Sequence, residues 1–219
     1  IDGENTTLFE KLIAERCNRK YAATVNSGSQ AILFTLLYYT QCVKNKNILI
    51  PDVSFIATAN GPLLTGYNVI PAEVDYHGML DLESLDLQKY SKDSVGMIMY
   101  VNLCGNMIDY HKLRLITSFF DDNQPIVEDA AQSFGAIRNG MPSGSCGDAS
   151  IFSFDPTKNL PNFGSGGMVL TDDPELYNYI KNLKDNGKCS SHAMCGTNSK
   201  MSEVDCAQMI IKLKYFSAW

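Results

Sequence analysis

The sequence predicts an α/β protein with a largely parallel β-sheet, and two observations carry this prediction. Apolar runs typical of strands alternate along the 219 residues with segments whose apolar residues recur at helical spacing. One run, Val95 to Val101, shows almost no polar alternation, which indicates a strand covered on both faces, as in a parallel sheet flanked by helices. No internal repeat or low-complexity tract interrupts the order, so one domain accounts for the chain.

Seven segments are predicted to be strands because each is an apolar run bounded by polar or turn-forming residues. They are Tyr21 to Val25, Asn47 to Ile50, Asn68 to Val74, Val95 to Val101, Pro125 to Asp129, Ala149 to Phe154 and Gly167 to Thr171.

Helices are predicted before, between and after these strands. The first begins near Thr7, where Thr7 and Glu10 form a capping-box pattern, and runs to about Asn18. The internal helices are Ser29 to Thr40, Ser54 to Leu64, Asp109 to Phe119 and Pro174 to Asp185. The last begins after Ser202, which with Asp205 resembles a helix cap, and it carries Val204, Ala207, Ile211 and Tyr215 on one face.

Composition excludes several classes of function. The net charge of −6 and the absence of a basic stripe argue against a nucleic-acid partner. Apolar runs fall short of the roughly 18 to 20 residues that a membrane span requires, and no signal-like segment is present, so we expect a soluble, cytoplasmic protein without a membrane partner. Seven cysteines without a repeated spacing indicate reduced thiols.

One cysteine cluster could in principle bind a metal. Cys189, His192 and Cys195 offer three ligands, but their spacing matches no zinc site and no fourth ligand lies nearby. We therefore interpret them as ordinary loop residues and predict no metal.

Polar residues follow several predicted strands, at the sheet edge where open α/β sheets bind ligands. The loop 26–30 leads from a strand into a helix and could bind a phosphate, although a tight turn at Gly28 explains it equally well. Asp129 ends an apolar strand and could cap a following helix or face a cationic ring nitrogen. Lys158 precedes the glycine-rich segment 164–167 and is either a surface lysine or a nucleophilic amine. The loop 196–202, taken alone, is structural.

A phosphate loop, a ring-facing carboxylate and an amine nucleophile are together what a pyridoxal phosphate enzyme requires. Over nearly its whole length the sequence resembles the DegT/StrS family of nucleotide-sugar aminotransferases, which has the aspartate aminotransferase fold (fold type I). The matching segments are NSGSQAI, PDVSFIATANGPLLTGYNVIPAEVD, VEDAAQSFGA, GDASIFSFDPTKNLPNFGSGGMVLTDD and GTNSKMSEVDCAQ. This resemblance implies a three-layer sandwich around a mostly parallel seven-stranded sheet, which is the pyridoxal phosphate-binding large domain.

The resemblance also implies roles for individual residues. Lys158 would hold pyridoxal 5′-phosphate as a Schiff base and carry the substrate proton. Asp129 would pair with the pyridine nitrogen, Gln132 would bond the phenolic oxygen one helical turn further on, and Phe55 would stack on the ring.

The phosphate and the subunit arrangement follow from further matches. Gly28, Ser29 and Ser153 would hold the cofactor phosphate, and Asn198 would reach the phosphate of the neighbouring subunit. An active site would then form at the interface of a homodimer.

The implied reaction transfers an amino group from L-glutamate, which leaves as 2-oxoglutarate, to a nucleotide-linked keto-sugar. Lys158 favours transamination over dehydration, because dehydrating relatives carry His there. The segment around Lys200 resembles the subgroup that acts on 4-keto-6-deoxy hexoses, whereas Phe134 stands where relatives often have His. Family members are longer, so Ile1 and Trp219 look like truncation points, and a C-terminal small domain is expected to be missing.

Two other functions stay open at this point. The first is a catalytically silent relative that binds cofactor or nucleotide-sugar as a regulatory subunit. The second is another enzyme of the same fold type that acts on small amino acids, such as a decarboxylase or a desulfurase.

Overall fold

The computed structural model of the protein describes residues 2–85, 94–118 and 124–218. Its α-helices are α1 (Glu4–Arg16), α2 (Gly28–Tyr39), α3 (Ala57–Leu64), α4 (Tyr110–Thr117), α5 (Pro174–Leu183) and α6 (Glu203–Tyr215). Its strands are β1 (Tyr21–Val25), β2 (Asn47–Pro51), β3 (Asn68–Ala72), β4 (Met97–Val101), β5 (Ile126–Asp129), β6 (Ile137–Arg138), β7 (Met141–Pro142), β8 (Ala149–Ser153) and β9 (Gly167–Thr171).

The predicted strands all join one sheet. Its seven strands lie in the order β1-β9-β8-β5-β4-β2-β3. Neighbours from β8 to β3 pair in parallel, whereas β9 runs antiparallel to both β1 and β8. The predicted mostly parallel sheet is therefore confirmed. Strands β6 and β7 form a separate small hairpin that the sequence did not predict.

Helices cover both faces of this sheet, as the predicted three-layer arrangement requires. Successive residues of β9 alternate between the two faces, since Val169 packs with α2 and α5 while Met168 and Leu170 pack with α1 and α6. Around the other half of the sheet, Leu113 of α4 packs against Ile126 of β5. The sheet is thus buried on both sides, which explains the absence of polar alternation in β4.

The start of α1 differs from the prediction. The helix begins at Glu4, and the Glu203 carboxylate accepts hydrogen bonds from the backbone N–H groups of Asn5 (3.0 Å) and Thr6 (2.9 Å). Glu10 is buried instead, where it accepts from the Thr24 N–H at 2.8 Å. The predicted capping box of Thr7 and Glu10 is therefore wrong, because a carboxylate from α6 caps the helix.

The other helices follow their predictions to within a few residues. The predicted end of α4 at Phe119 lies outside the described residues. Helix α6 is capped by Ser202 as predicted, with the Asp205 N–H donating to its hydroxyl at 3.1 Å. Its buried face consists of Cys206, Met209 and Ile210. On the apolar face seen in the sequence, Val204, Ile211 and Tyr215 are exposed and Ala207 is half-buried.

Within the described part of the chain, no helix combines the length and apolar character that crossing a bilayer requires.

Candidate active site

A cavity of about 390 Å³ lies at the carboxyl ends of the parallel strands. Seven of the eight predicted site residues line it: Gly28, Ser29, Phe55, Asp129, Gln132, Ser153 and Lys158. They come from four separate segments of the chain, which meet because β1, β2, β5 and β8 all end at this edge of the sheet. Its volume is within the range typical of small-molecule sites.

One end of the cavity is the N-terminus of α2. Ser27 caps the helix by accepting from the Gln30 N–H at 3.1 Å, so the helix begins at the predicted loop. A Cβ atom at Gly28 would lie 2.8 Å from the Ser153 Cβ, which means that only glycine permits this close approach. The first N–H groups of the helix and the hydroxyls of Ser29 and Ser153 thus surround one end of the cavity, and such an arrangement favours an anion.

Asp129 lies deep in the wall of the cavity and is only 4% exposed. Its Oδ1 accepts from the Ala131 N–H at 3.1 Å and its Oδ2 from the Thr58 hydroxyl at 3.0 Å. Burial raises the pKa of this carboxyl, while those two hydrogen bonds and the nearby charge of Lys158 lower it. A cationic group in the cavity would therefore find a carboxylate with few other partners.

Glu128, the preceding residue, points to the opposite side of the sheet. It is fully buried and accepts from the side chains of Asn102 (2.7 Å) and Ser150 (2.7 Å) and from the backbone N–H of Cys146 (3.1 Å). Burial raises its pKa as well, against the hydrogen bonds and the charge of Arg19. Of the two adjacent carboxylates, only Asp129 faces the cavity.

Gln132 lies in a turn, not on a helix. The Ser133 N–H bonds the Ala130 carbonyl at 3.1 Å, and no helix follows β5 before the β6–β7 hairpin, within a stretch the structure describes throughout. The expectations that Asp129 caps a following helix and that Gln132 lies one helical turn further on are therefore wrong. The Cys104 N–H donates to Gln132 Oε1 at 3.1 Å, which leaves the amide NH₂ of Gln132 as the group free to donate into the cavity.

Lys158 is held by a turn that follows β8. Asp155 accepts from the Thr157 N–H (3.0 Å) and hydroxyl, and the Lys158 N–H bonds the Asp155 carbonyl at 2.9 Å. The loop is anchored by fully buried Leu160 and by the Asn162 N–H, which bonds the Phe154 carbonyl at 2.8 Å. A fixed backbone thus delivers the half-buried lysine side chain to the cavity.

The last two predicted residues lie at the outside of the site. Phe55 stands at the mouth of the cavity with 64% of its surface exposed. Asn198 does not line the cavity; it is exposed and accepts from Lys200 at 3.0 Å. Its neighbour Ser199 nevertheless bonds the Asn26 N–H at 2.8 Å, so this segment lies beside the loop that precedes α2.

Sequence reasoning missed two residues of this site. Ser54 lines the cavity, and its hydroxyl lies 2.8 Å from that of Thr58, which in turn touches Asp129. Their spacing of four residues at the start of a predicted helix was the available signal, because residues i and i+4 share a helix face.

Two other features bear on the chemistry. A wider depression of about 670 Å³ lies between the loops after β3 and β4 and the β6–β7 hairpin, but it contains none of the predicted site residues. In residues 2–85, 94–118 and 124–218, no group of three or more His, Cys, Asp or Glu side chains is placed to hold a metal ion.

Comparisons with known proteins identify the family of the chain. The profile of the DegT/DnrJ/EryC1/StrS aminotransferase family matches residues 1–219. A Campylobacter jejuni protein named UDP-4-amino-4,6-dideoxy-N-acetyl-beta-L-altrosamine transaminase is 31% identical over 97% of this chain and 57% of its own length.

Two solved structures are similar over almost the whole chain. DesV from S. venezuelae, solved in complex with a ketimine intermediate, is 33% identical with a TM-score of 0.89, over 100% of this chain and 58% of DesV. NtdA from Bacillus subtilis, solved with bound cofactor PMP, is 25% identical with a TM-score of 0.86, over 99% of this chain and 49% of NtdA. The chain therefore spans 49–58% of the length of these relatives.

Proposed function

The chain belongs to the DegT/DnrJ/EryC1/StrS aminotransferase family, and from that premise we propose that it is the cofactor-binding large domain of an enzyme that transfers an amino group to a nucleotide-linked keto-sugar. The observation that carries the proposal is the single cavity lined by Lys158, Asp129, Gln132 and the N-terminus of α2. L-glutamate is the proposed donor and 2-oxoglutarate its product.

Pyridoxal 5′-phosphate is the proposed cofactor, because the cavity offers a partner for each of its polar groups. The N-terminus of α2 with Ser29 and Ser153 suits the phosphate, and Asp129 suits a protonated ring nitrogen. The free NH₂ of Gln132 can donate to the phenolic oxygen. When bound, this cofactor supplies an electron sink for the carbon that loses a proton.

The chain's own residues then perform three tasks. Phe55 at the mouth would cover one face of the ring, and Asp129 would fix the charge of the ring nitrogen. Lys158 would hold the cofactor covalently, and its amine would take the proton from the carbon of the amino donor. In the second half of the reaction the same amine would return a proton to the carbon of the sugar that receives the amine.

The proposed substrate class rests on the relatives. The Campylobacter jejuni relative is named for a UDP-linked amino sugar, and the sequence around Lys200 favours a 4-keto-6-deoxy hexose as acceptor. We propose a homodimer in which Asn198 reaches the phosphate of the neighbouring subunit, since Asn198 is exposed and its segment lies beside the α2 loop.

The decisive experiment is covalent trapping. The protein is mixed with pyridoxal 5′-phosphate, reduced with borohydride, digested and analysed by peptide mass spectrometry. We expect one pyridoxyl label, on Lys158, which is absent in Lys158→Ala and present in the control Lys214→Ala, a variant of an exposed lysine on α6. A label spread over surface lysines, with none enriched at Lys158, would contradict the proposal.

Turnover separates the remaining alternatives. Single-turnover reaction with L-glutamate, followed by a panel of nucleotide keto-sugars and free keto-acids, should give amino-sugar as product. Labelling of Lys158 without any conversion by the full-length protein supports the catalytically silent relative, and conversion of keto-acids alone supports an enzyme of small amino acids.

A further inference from the structure

Thr58 touches the carboxylate of the site without lining the cavity. It lies in α3, is 1% exposed, and its Oγ1 is 3.0 Å from Asp129 Oδ2. The residues that line the cavity include its neighbours Phe55 and Ala57 but not Thr58 itself. Thr58 can therefore act on a bound molecule only through the residues it contacts, which include Asp129 and Ser54.

The hydrogen atoms of this contact have a defined direction. An ionised carboxylate can only accept, so the single hydroxyl hydrogen of Thr58 is donated to Asp129. The 2.8 Å contact between Ser54 and Thr58 must then be donated by Ser54, because Thr58 has no second hydrogen. The result is a chain of hydroxyls that starts at the cavity wall and ends on Asp129.

Packing fixes the position of Thr58 in this chain of hydroxyls. The Thr58 N–H bonds the Phe55 carbonyl at 3.0 Å at the first turn of α3. One turn later, a Cβ at Gly61 would come within 2.4 Å of Ile32 Cγ2, so α3 lies directly against α2. This close packing of α3 on α2 places the Thr58 hydroxyl beside the end of β5.

Asp129 depends on few donors. Ala131 supplies one through its backbone and Thr58 supplies the other, whereas Glu128 receives several from side chains and backbone. The charged group that faces Asp129 is Lys158, from the loop after β8. Loss of the Thr58 hydroxyl would remove one of the two hydrogen bonds that the buried carboxylate receives from the described residues.

We propose that Thr58 is a positioning residue that keeps Asp129 ionised and aimed into the cavity, and that Ser54 holds the Thr58 hydroxyl in its donating orientation. The inference rests on the proposed function, in which Asp129 faces the ring nitrogen of pyridoxal phosphate. It adds a role for two residues that do not bond the cofactor in that proposal.

The chain offers a matched control for this inference. Thr35 on α2 is also fully buried, and its hydroxyl has no hydrogen-bond partner among the residues that the structure describes. Thr35→Val and Thr58→Val remove the same atoms from equally buried sites, so a difference between them reports the contact with Asp129. Thr58→Ser keeps a hydroxyl at position 58. Ser54→Ala keeps Thr58 and removes only the hydrogen bond that Ser54 donates to it.

The first measurement uses the protein loaded with ¹⁵N-labelled pyridoxal 5′-phosphate. In the wild type, Thr58→Ser and Thr35→Val, we expect the ¹⁵N chemical shift of a protonated ring nitrogen. In Thr58→Val we expect a shift toward the unprotonated value and about tenfold weaker cofactor binding, with a smaller effect of the same sign in Ser54→Ala. Wild-type shift and affinity in Thr58→Val would overturn the proposal.

The second measurement needs no cofactor. The carboxyl ¹³C signal of Asp129, assigned by its loss in Asp129→Asn, is followed against pH in the wild type and in each variant. Thr58→Val should raise the titration midpoint, and Thr58→Ser should not. If the wild type fails to bind pyridoxal phosphate while Thr58→Val still moves this midpoint, the proposed function fails and the positioning role stands. If Thr58→Val folds, an unmoved midpoint in that variant refutes the role. If Thr58→Val does not fold, an unmoved midpoint in Ser54→Ala refutes it.

Discussion

Glu128 and Asp129 are neighbours on β5, yet their carboxylates lie in opposite environments. Glu128 is enclosed by donors, among them Asn102, Ser150 and the backbone of Cys146. Asp129 receives one backbone and one hydroxyl hydrogen bond and lies in the cavity wall. Burial raises the pKa of both groups, so the difference lies in how completely each is compensated. A buried carboxylate with a full set of hydrogen-bond donors stabilises the fold, whereas one with few donors can bind a ligand.

The largest expected effect separates the two carboxylates by catalysis. Asp129→Asn should slow the half-reaction with L-glutamate by about 100-fold or more, because an amide cannot balance the charge on the ring nitrogen. Stopped-flow absorbance of the bound cofactor measures this rate. Glu128→Gln, if folded, is the matched control and should react at nearly the wild-type rate. Equal rates in the two variants would show that the two carboxylates do not differ in catalysis.

The next effect concerns the fold. Glu128→Gln places an NH₂ group against backbone and side-chain donors, so at least one buried donor loses its acceptor. We expect the free energy of unfolding to fall by about 1–3 kcal/mol. Urea denaturation of the cofactor-free protein checks this value, and an unchanged midpoint would show that the donors around Glu128 do not require a charge.

The same measurement on Asp129→Asn should give the opposite sign. Because burial raises the pKa of Asp129, its ionised form destabilises the cofactor-free fold at neutral pH, and the Thr58 hydroxyl can turn to accept from the new amide. We expect a gain of about 1 kcal/mol at pH 7, or roughly 2–4 °C in melting temperature. The gain should disappear as the pH falls below the ordinary range of a carboxyl pKa, where both proteins are neutral at this position.

A third carboxylate, Glu203, sharpens the comparison with the smallest effect. Hydrogen bonds from Thr6 and Asn5 lower its pKa to about 2, so the stability it contributes is present above its ordinary pKa and is lost as the pH falls. Glu203→Gln should cost about 0.5–1 kcal/mol at pH 7. Thermal melts between pH 7 and 2 should show the melting temperatures of the two proteins converging at low pH. A difference that stays constant with pH would contradict the role of ionised Glu203 as the helix cap.

Much of this molecule could be predicted from the sequence, because its local patterns agree with its packing. The strands were predictable because buried parallel strands are apolar runs. The position of the site was predictable because parallel strands bring their carboxyl ends to the same edge of the sheet. The start of α1 could not be predicted, because its cap comes from Glu203, which lies far along the chain. Tertiary contacts of this kind leave no local pattern near Thr7 or Glu10.

The remaining errors have similar physical causes. The turns after Asp129 resemble a helix start, since an Asp at a strand end caps either structure. The spacing of Ser54 and Thr58 indicated a shared helix face, but the contact of Thr58 with Asp129 could not be predicted, because only the docking of α3 brings Thr58 to β5. On α6 the apolar face containing Val204 was visible in the sequence, but Met209 and Ile210 are the residues that the sheet layer buries.

The pairing of β1 has a consequence for how the chain is made. In the described sheet β1 lies at an edge and pairs with β9, and α1 is capped by Glu203. A ribosome releases residues in order, so neither partner exists when the first helix and strand emerge. Until then Phe9 and Ile13, which end fully buried, stay exposed to other chains. We therefore expect α1 and β1 to join the fold only after β9 and α6 have been made, although both precede these elements in the chain.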